Sequence, residues 1–154
     1  MDTSELIRTR YGAFAATSGQ QESCCAASSG DGGYAIEQGL YTDDELAGVP
    51  DSARALSRGC GNPTGFAELQ TGEVVVDLGC GGGIDLVLAA AKVGPAGRVI
   101  GVDFAAQMIE QATKTVAEAG VTTAELVTED ISHTQLPAES ADVVLSNCVI
   151  SARW

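Results

Sequence analysis

No run of about 18 consecutive apolar residues occurs in this chain, the length a hydrocarbon core demands, so a membrane-spanning helix is excluded. Basic residues are scarce: 8 Lys and Arg stand against 21 Asp and Glu, for a net charge of -13. Such a surface repels phosphate backbones and anionic lipid heads at long range, which argues against nucleic acid and membrane surfaces as partners. The opening "MDTSELIRTRYGAF" has neither the basic start nor the apolar stretch of an export signal, so a cytoplasmic location is expected. There is no Cys-x-x-Cys pair, and the single histidine, His133, lies in a polar "SHTQLP" loop. A structural zinc site therefore lacks its usual ligand spacing, and His133 reads as a solvated loop residue. Five cysteines are an odd number for a complete disulfide framework, so the thiols are expected to be mostly reduced and available.

What is present fits one compact domain: 154 residues, 45% of them apolar, are enough for a real core. Residues 1–70 read as a helical and cysteine-containing extension. The stretch "TSGQQESCCAASSGDGG" has few large apolar side chains and is expected to be a mobile loop. Around it lie a helix over 3–15, with Leu6, Ile7, Tyr11 and Phe14 near one face, and a short helix at "TDDEL". In the latter, Thr42 and Glu45 have capping-box spacing. Pro50 and Asp51 open another short helix that runs to Leu56.

From residue 71 onward, apolar strands alternate with helical segments, the pattern of an α/β fold with a parallel sheet. The expected elements are strand 73–78, helix 83–92, strand 98–102, helix 105–119, strand 124–128 and strand 142–149. The unbroken "VVV" and "VVL" runs suit strands buried on both faces. Gly94, Pro95 and Gly97 punctuate the first return, and Gly120 closes the second helix.

In "EVVVDLGCGGGIDLVLAA", Asp77, Gly79, Gly81 and Gly83 alternate where the first strand hands over to a helix. Glycines there let the backbone turn sharply and let a ligand approach main-chain atoms. Asp103, at the end of the second strand, can accept from a ribose diol. Asp130, after the third strand, is placed to accept from an exocyclic amine. Phe104 and Ile131 accompany these two acids. Glycines also simply end strands, but three acids at three successive strand ends favour a binding site over that reading. The Asp-x-Gly-x-Gly-x-Gly spacing resembles the S-adenosylmethionine site of class I methyltransferases, whose cofactor is cationic and has no pyrophosphate. The loop accordingly has no basic residue.

Three words, "LSRGCGNP", "DLGCGGGIDLVLAAAKVGPAGRVIGVDF" and "LSNCVI", together resemble the arsenite methyltransferases, over nearly the whole chain from the CysCys loop to Ile150. The resemblance implies a Rossmann-like methyltransferase fold with S-adenosylmethionine held by Asp77, Gly79, Gly81, Gly83, Asp103, Phe104, Asp130, Ile131 and Asn147. It also implies As(III) bound by Cys60 and Cys148, with Cys24 or Cys25 joining a thiol relay. A soft ion suits thiolates, and the arsenic lone pair can attack the methyl carbon, so alignment matters more than a general base. A thiol reductant such as thioredoxin or glutathione would reopen the disulfide left by the relay. Cys80, inside the turn, is given no thiol chemistry.

The same resemblance implies a sheet of seven strands, of which this chain supplies the first four in the order 3-2-1-4. A truncated form is therefore expected, with its fourth strand a bare edge prone to homodimerisation or aggregation. The alternatives are a noncatalytic S-adenosylmethionine- or arsenic-binding fragment and a methyltransferase for another small molecule.

Overall fold

A computed structural model of the protein describes residues 41–57 and 61–150, together with residues 5, 9, 12, 13, 15 and 16. Cys24, Cys25 and Cys60, the expected mobile loop, and Leu6, Ile7, Tyr11 and Phe14 lie outside these. The six described residues near the N-terminus are helical, in keeping with the helix expected over 3–15. Ala15 among them is buried with Leu56, Ala105 and Met108.

Three short helices come next: α1 (Asp43–Leu46), α2 (Asp51–Leu56) and α3 (Pro63–Phe66). The capping box at α1 is formed, with Glu45 N donating to Thr42 Oγ1 at 3.3 Å and Thr42 N to Glu45 Oε2 at 2.9 Å. Reciprocal capping of this kind satisfies two amides that a four-residue helix cannot satisfy itself. Helix α3 was not anticipated from the sequence. It opens on Pro63, and Asn62 Oδ1 accepts from Gly65 N at 2.8 Å.

The sheet consists of β1 (Val74–Leu78), β2 (Arg98–Asp103), β3 (Ala124–Thr128) and β4 (Val143–Leu145). All neighbours are parallel, and the order is β3-β2-β1-β4. Val75 pairs with Val99 on one side and Val143 on the other. Helices α4 (Ile84–Val93) and α5 (Ala106–Glu118) make the crossovers. Both cover the same sheet face, burying Val75, Val99, Leu86, Val93, Ala112 and Val116 in one core that Tyr41, Val49 and Ala53 also join. That shared core seats the segment before β1 on the sheet domain. Lys92 of α4 adds a hydrogen bond to the Thr64 carbonyl.

The opposite face carries Val76, Ile100 and Val102, with Ile131, Leu136 and Ala141 of the β3–β4 connection packed against them. Between these a groove stays open, lined by Val76, Leu78, Ile131, Leu136 and Val144. No helix among the described residues is long and apolar enough to cross a membrane.

The expected fourth strand, 142–149, is shorter than the sequence suggests: pairing stops at Leu145. Ser146 and Asn147 bend away, and Cys148 takes a positive φ of 58°. Apolar residues beyond Leu145 extended the strand signal, but side-chain hydrogen bonds pull this backbone out of the sheet.

Candidate functional site

The crevice at the carboxyl ends of β1 and β4 is where strand order reverses, the usual location of ligands in open α/β sheets. Its floor is the turn from β1 into α4. Gly79 N and Cys80 N both donate to the Val102 carbonyl, at 2.7 and 3.1 Å, which folds the turn back over β2. Gly79 has φ +81°, and a Cβ there would stand 2.3 Å from the Val149 side chain. Gly83, at φ +88°, is the N-cap of α4, and a Cβ there would meet the Ala112 backbone at 3.2 Å. Both need glycine for conformation and for space.

Three carboxylates surround this turn. Asp103 Oδ2 accepts from Gly81 N at 3.1 Å, and its Oδ1 from Ala105 N at 2.9 Å. The acid thus fixes the turn from the end of β2 while keeping lone pairs for a diol. Burial raises its pKa, and the backbone donors at Ala105, Gly81 and Phe104 hold it back. Asp77 is almost wholly buried, and its Oδ1 has no hydrogen-bond partner. Burial, then the nearby Asp85 and Asp103, push its pKa well above the usual carboxylate range. An orphaned buried carboxylate oxygen is costly unless a donor or cation reaches it.

Asp85, which the sequence reading missed, is the third. It lies in the first turn of α4, buried at 4% exposure. Tyr41 Oη donates to its Oδ1 at 2.9 Å and Asn147 Nδ2 to its Oδ2 at 3.2 Å. Asn147 Nδ2 also donates to the Gly61 carbonyl at 2.8 Å. Burial raises the pKa of Asp85, and the hydrogen bonds from Asn147 and Tyr41 pull it back. The available signal was a lone acid in the otherwise apolar "GIDLVLAA", because a carboxylate on a buried helix needs partners.

The sequence-derived candidates fall into distinct places. Asp77, Gly79, Gly81, Gly83, Asp103 and Asn147 surround the crevice, and Ser146 Oγ ties the loop after β4 to the Leu78 carbonyl at 3.1 Å. Phe104 is half-buried, directly after Asp103. Asp130 caps its own turn, its Oδ1 accepting from Ser132 N at 2.9 Å and Ser132 Oγ at 2.7 Å. Ile131 packs on the opposite face of the sheet. His133 is exposed, with Nδ1 3.0 Å from Ser132 Oγ.

Cys80 is a free, buried thiol whose pKa burial, then Asp77 and Asp103, raise well above the ordinary value. It packs against Gly101 of β2, in keeping with a purely structural role. Cys148 corrects the expectation of available thiols, because it is disulfide-bonded.

Residues 69–153 match a family described as a methyltransferase domain, and the chain belongs to that family. Within it, the sequence is 42% identical to an arsenite methyltransferase of Halobacterium salinarum, covering 97% of this chain and 40% of the relative. An arsenite methyltransferase of Aquipseudomonas alcaligenes is 31% identical over 96% of this chain and 42% of its own. Among solved structures, an arsenic(III) S-adenosylmethionine methyltransferase from Chlamydomonas reinhardtii superposes with a TM-score of 0.62 at 32% identity. That match covers 70% of this chain and 38% of the other. The chain thus spans about two fifths of the length of these relatives.

The residues present fit S-adenosylmethionine, the cofactor of this class of methyltransferase. The orphaned Asp77 oxygen and the absence of any basic side chain in the turn suit a cation, and Asp103 suits a ribose.

Proposed function

We propose that this chain carries out S-adenosylmethionine-dependent methyl transfer to trivalent arsenic. The observation that carries the proposal is the hydrogen bond from Asn147 to Gly61. Cys148 follows Asn147 and Cys60 precedes Gly61, so the bond ties the immediate neighbours of two cysteines together beside the cofactor turn. Sequence likeness to arsenite methyltransferases over nearly the whole chain supports the same reading.

When bound, S-adenosylmethionine supplies an electrophilic methyl group on sulfonium. The protein's part is to hold and align. Asp103 and the glycine turn fix the nucleoside end, and Asp77 offers its unpaired oxygen to the cationic end. Cys148, once two external thiols have reduced its disulfide and left as a disulfide themselves, binds As(III) as a thiolate together with Cys60. With the cofactor held there, the arsenic lone pair would attack the methyl carbon, forming the As–C bond as the C–S bond breaks and the sulfur leaves as the neutral thioether S-adenosylhomocysteine. Holding both reactants in line lowers the barrier without a proton acceptor, in keeping with the lack of a histidine or lysine in the described crevice. Methylated arsenic formed as As(V) returns to As(III) as two protein thiols close to a disulfide, with Cys24 or Cys25 as the relay thiol.

A noncatalytic, cofactor- or arsenic-binding role is the second reading. The test for both is binding to the reduced chain. Arsenite should protect Cys148 and Cys60 from alkylation, read by peptide mass spectrometry, and calorimetry should detect S-adenosylmethionine. Failure of arsenite to protect either cysteine removes arsenic as the substrate, failure of the cofactor to bind removes the catalytic reading, and failure of both removes the second reading as well.

A further inference from the structure

Asp85 has no part in the chemistry above, yet it is a carboxylate buried inside an apolar helix, which requires an explanation. Two side chains among the described residues, Tyr41 and Asn147, donate to it. Asn147 spends one amide hydrogen on Asp85 Oδ2 and the other on the Gly61 carbonyl, at 3.2 and 2.8 Å. The Tyr41 hydroxyl has one hydrogen and two acceptors in reach, Asp85 Oδ1 at 2.9 Å and the Gly61 carbonyl at 3.2 Å. The shorter contact, to the carboxylate, takes it. Asp85 thus joins three segments: the chain before β1, the start of α4 and the loop after β4.

That loop requires support. Cys148 sits at φ 58°, a left-handed conformation that a non-glycine residue holds only when its surroundings fix it. Besides the disulfide at Cys148, the adjacent Asn147 side chain fixes this backbone through Gly61 and Asp85. Resting on the proposed arsenic chemistry, we infer that Asp85 is a positioning residue: through Asn147 it holds the Cys148 backbone beside Gly61 and so sets the position of the Cys148 thiolate. Its contribution is distinct from the cofactor-holding roles proposed for Asp77 and Asp103.

Asp85→Asn tests this, because an amide offers one acceptor where the carboxylate offers two, leaving either Tyr41 or Asn147 opposite an NH2 group. Asp85→Ala and Asn147→Ala complete the set, all measured on the reduced chain. Hydrogen exchange at residues 146–149 should rise about tenfold, the effect of losing one buried hydrogen bond, while β1, β2 and α5 keep wild-type protection. The arsenite concentration that half-protects Cys148 should rise about tenfold, and in the two Asp85 variants S-adenosylmethionine affinity should stay within about threefold of wild type. Asp85→Ala combined with Asn147→Ala should be no worse than the worse single variant, since both act through one contact. Unchanged exchange at residues 146–149, or an even rise across the sheet, overturns the positioning role. A wild-type chain that takes no arsenite removes the arsenic reading, and the exchange pattern still decides whether Asp85 holds this loop.

Discussion

The Asn147 side chain donates to the Gly61 carbonyl across 2.8 Å, joining a loop after the last strand to a segment that precedes the first. The two positions are far apart in sequence, and nothing local brings them together. Their meeting places the neighbours of Cys60 and Cys148 at one crevice, so the stability of this contact and the competence of the site are linked.

Removing the contact has a cost in folding. Asn147→Ala leaves the Gly61 carbonyl without its best donor and Asp85 with Tyr41 alone, so stability should fall by about 1–3 kcal/mol. Urea denaturation checks this. A change below about 0.5 kcal/mol would mean that water replaces the amide without loss.

Acidity separates stability from function at Asp77. Its pKa is raised in the folded chain, by burial first and then by Asp85 and Asp103. A carboxyl of this kind favours folding fully below its unfolded pKa, and that contribution is lost as pH rises through the folded value. The ligand-free chain should therefore lose stability from about pH 4 upward, the unfolded carboxylate range, toward the raised folded value. Asp77→Asn should melt higher than wild type at neutral pH, lose that advantage near pH 4, and bind S-adenosylmethionine more weakly. Thermal melts across pH and calorimetry decide it. Equal melting temperatures at neutral pH would show that the buried charge is compensated.

Space, rather than charge, limits the glycine turn. A Cβ on Gly79 would overlap Val149 and force a residue with side chain to φ +81°. Gly79→Ala should lower stability by about 1–2 kcal/mol and reduce cofactor affinity at least about tenfold, as Val149 is pushed over the crevice. Retained affinity in calorimetry would place the cofactor elsewhere.

Val144 is 59% exposed on β4, an edge strand that also borders the open groove. Unpaired edge groups with apolar side chains invite strand pairing. The chain should self-associate at high concentration, and Val144→Lys should suppress this, as read by sedimentation velocity. A wild-type monomer across that range contradicts the expectation.

Much of this arrangement was legible from residues alone. Strand 124–128 and the boundaries of α4 and α5, to within one residue, followed from apolar periodicity and glycine punctuation. The parallel order β3-β2-β1-β4 followed from the resemblance, because periodicity carries no strand order. The capping box at Thr42 and Glu45 is a local device and was read locally. Asp85 and Tyr41 escaped notice because their roles arise only from tertiary contact. The end of β4 was misplaced for the same reason: Asn147 leaves the strand to reach Asp85 and Gly61, partners that no local window contains. The disulfide at Cys148 likewise depends on proximity in space.

Methyl transfer itself is the most direct measurement of the central claim. The reduced chain is incubated with arsenite and methyl-labelled S-adenosylmethionine, alone and with the separately expressed carboxy-terminal part of an arsenite methyltransferase. The products are separated by chromatography with arsenic-selective detection. The account predicts labelled methylarsenicals that require thiol and disappear in Cys148→Ser. Binding of both arsenite and cofactor with no label on arsenic under either condition would contradict it.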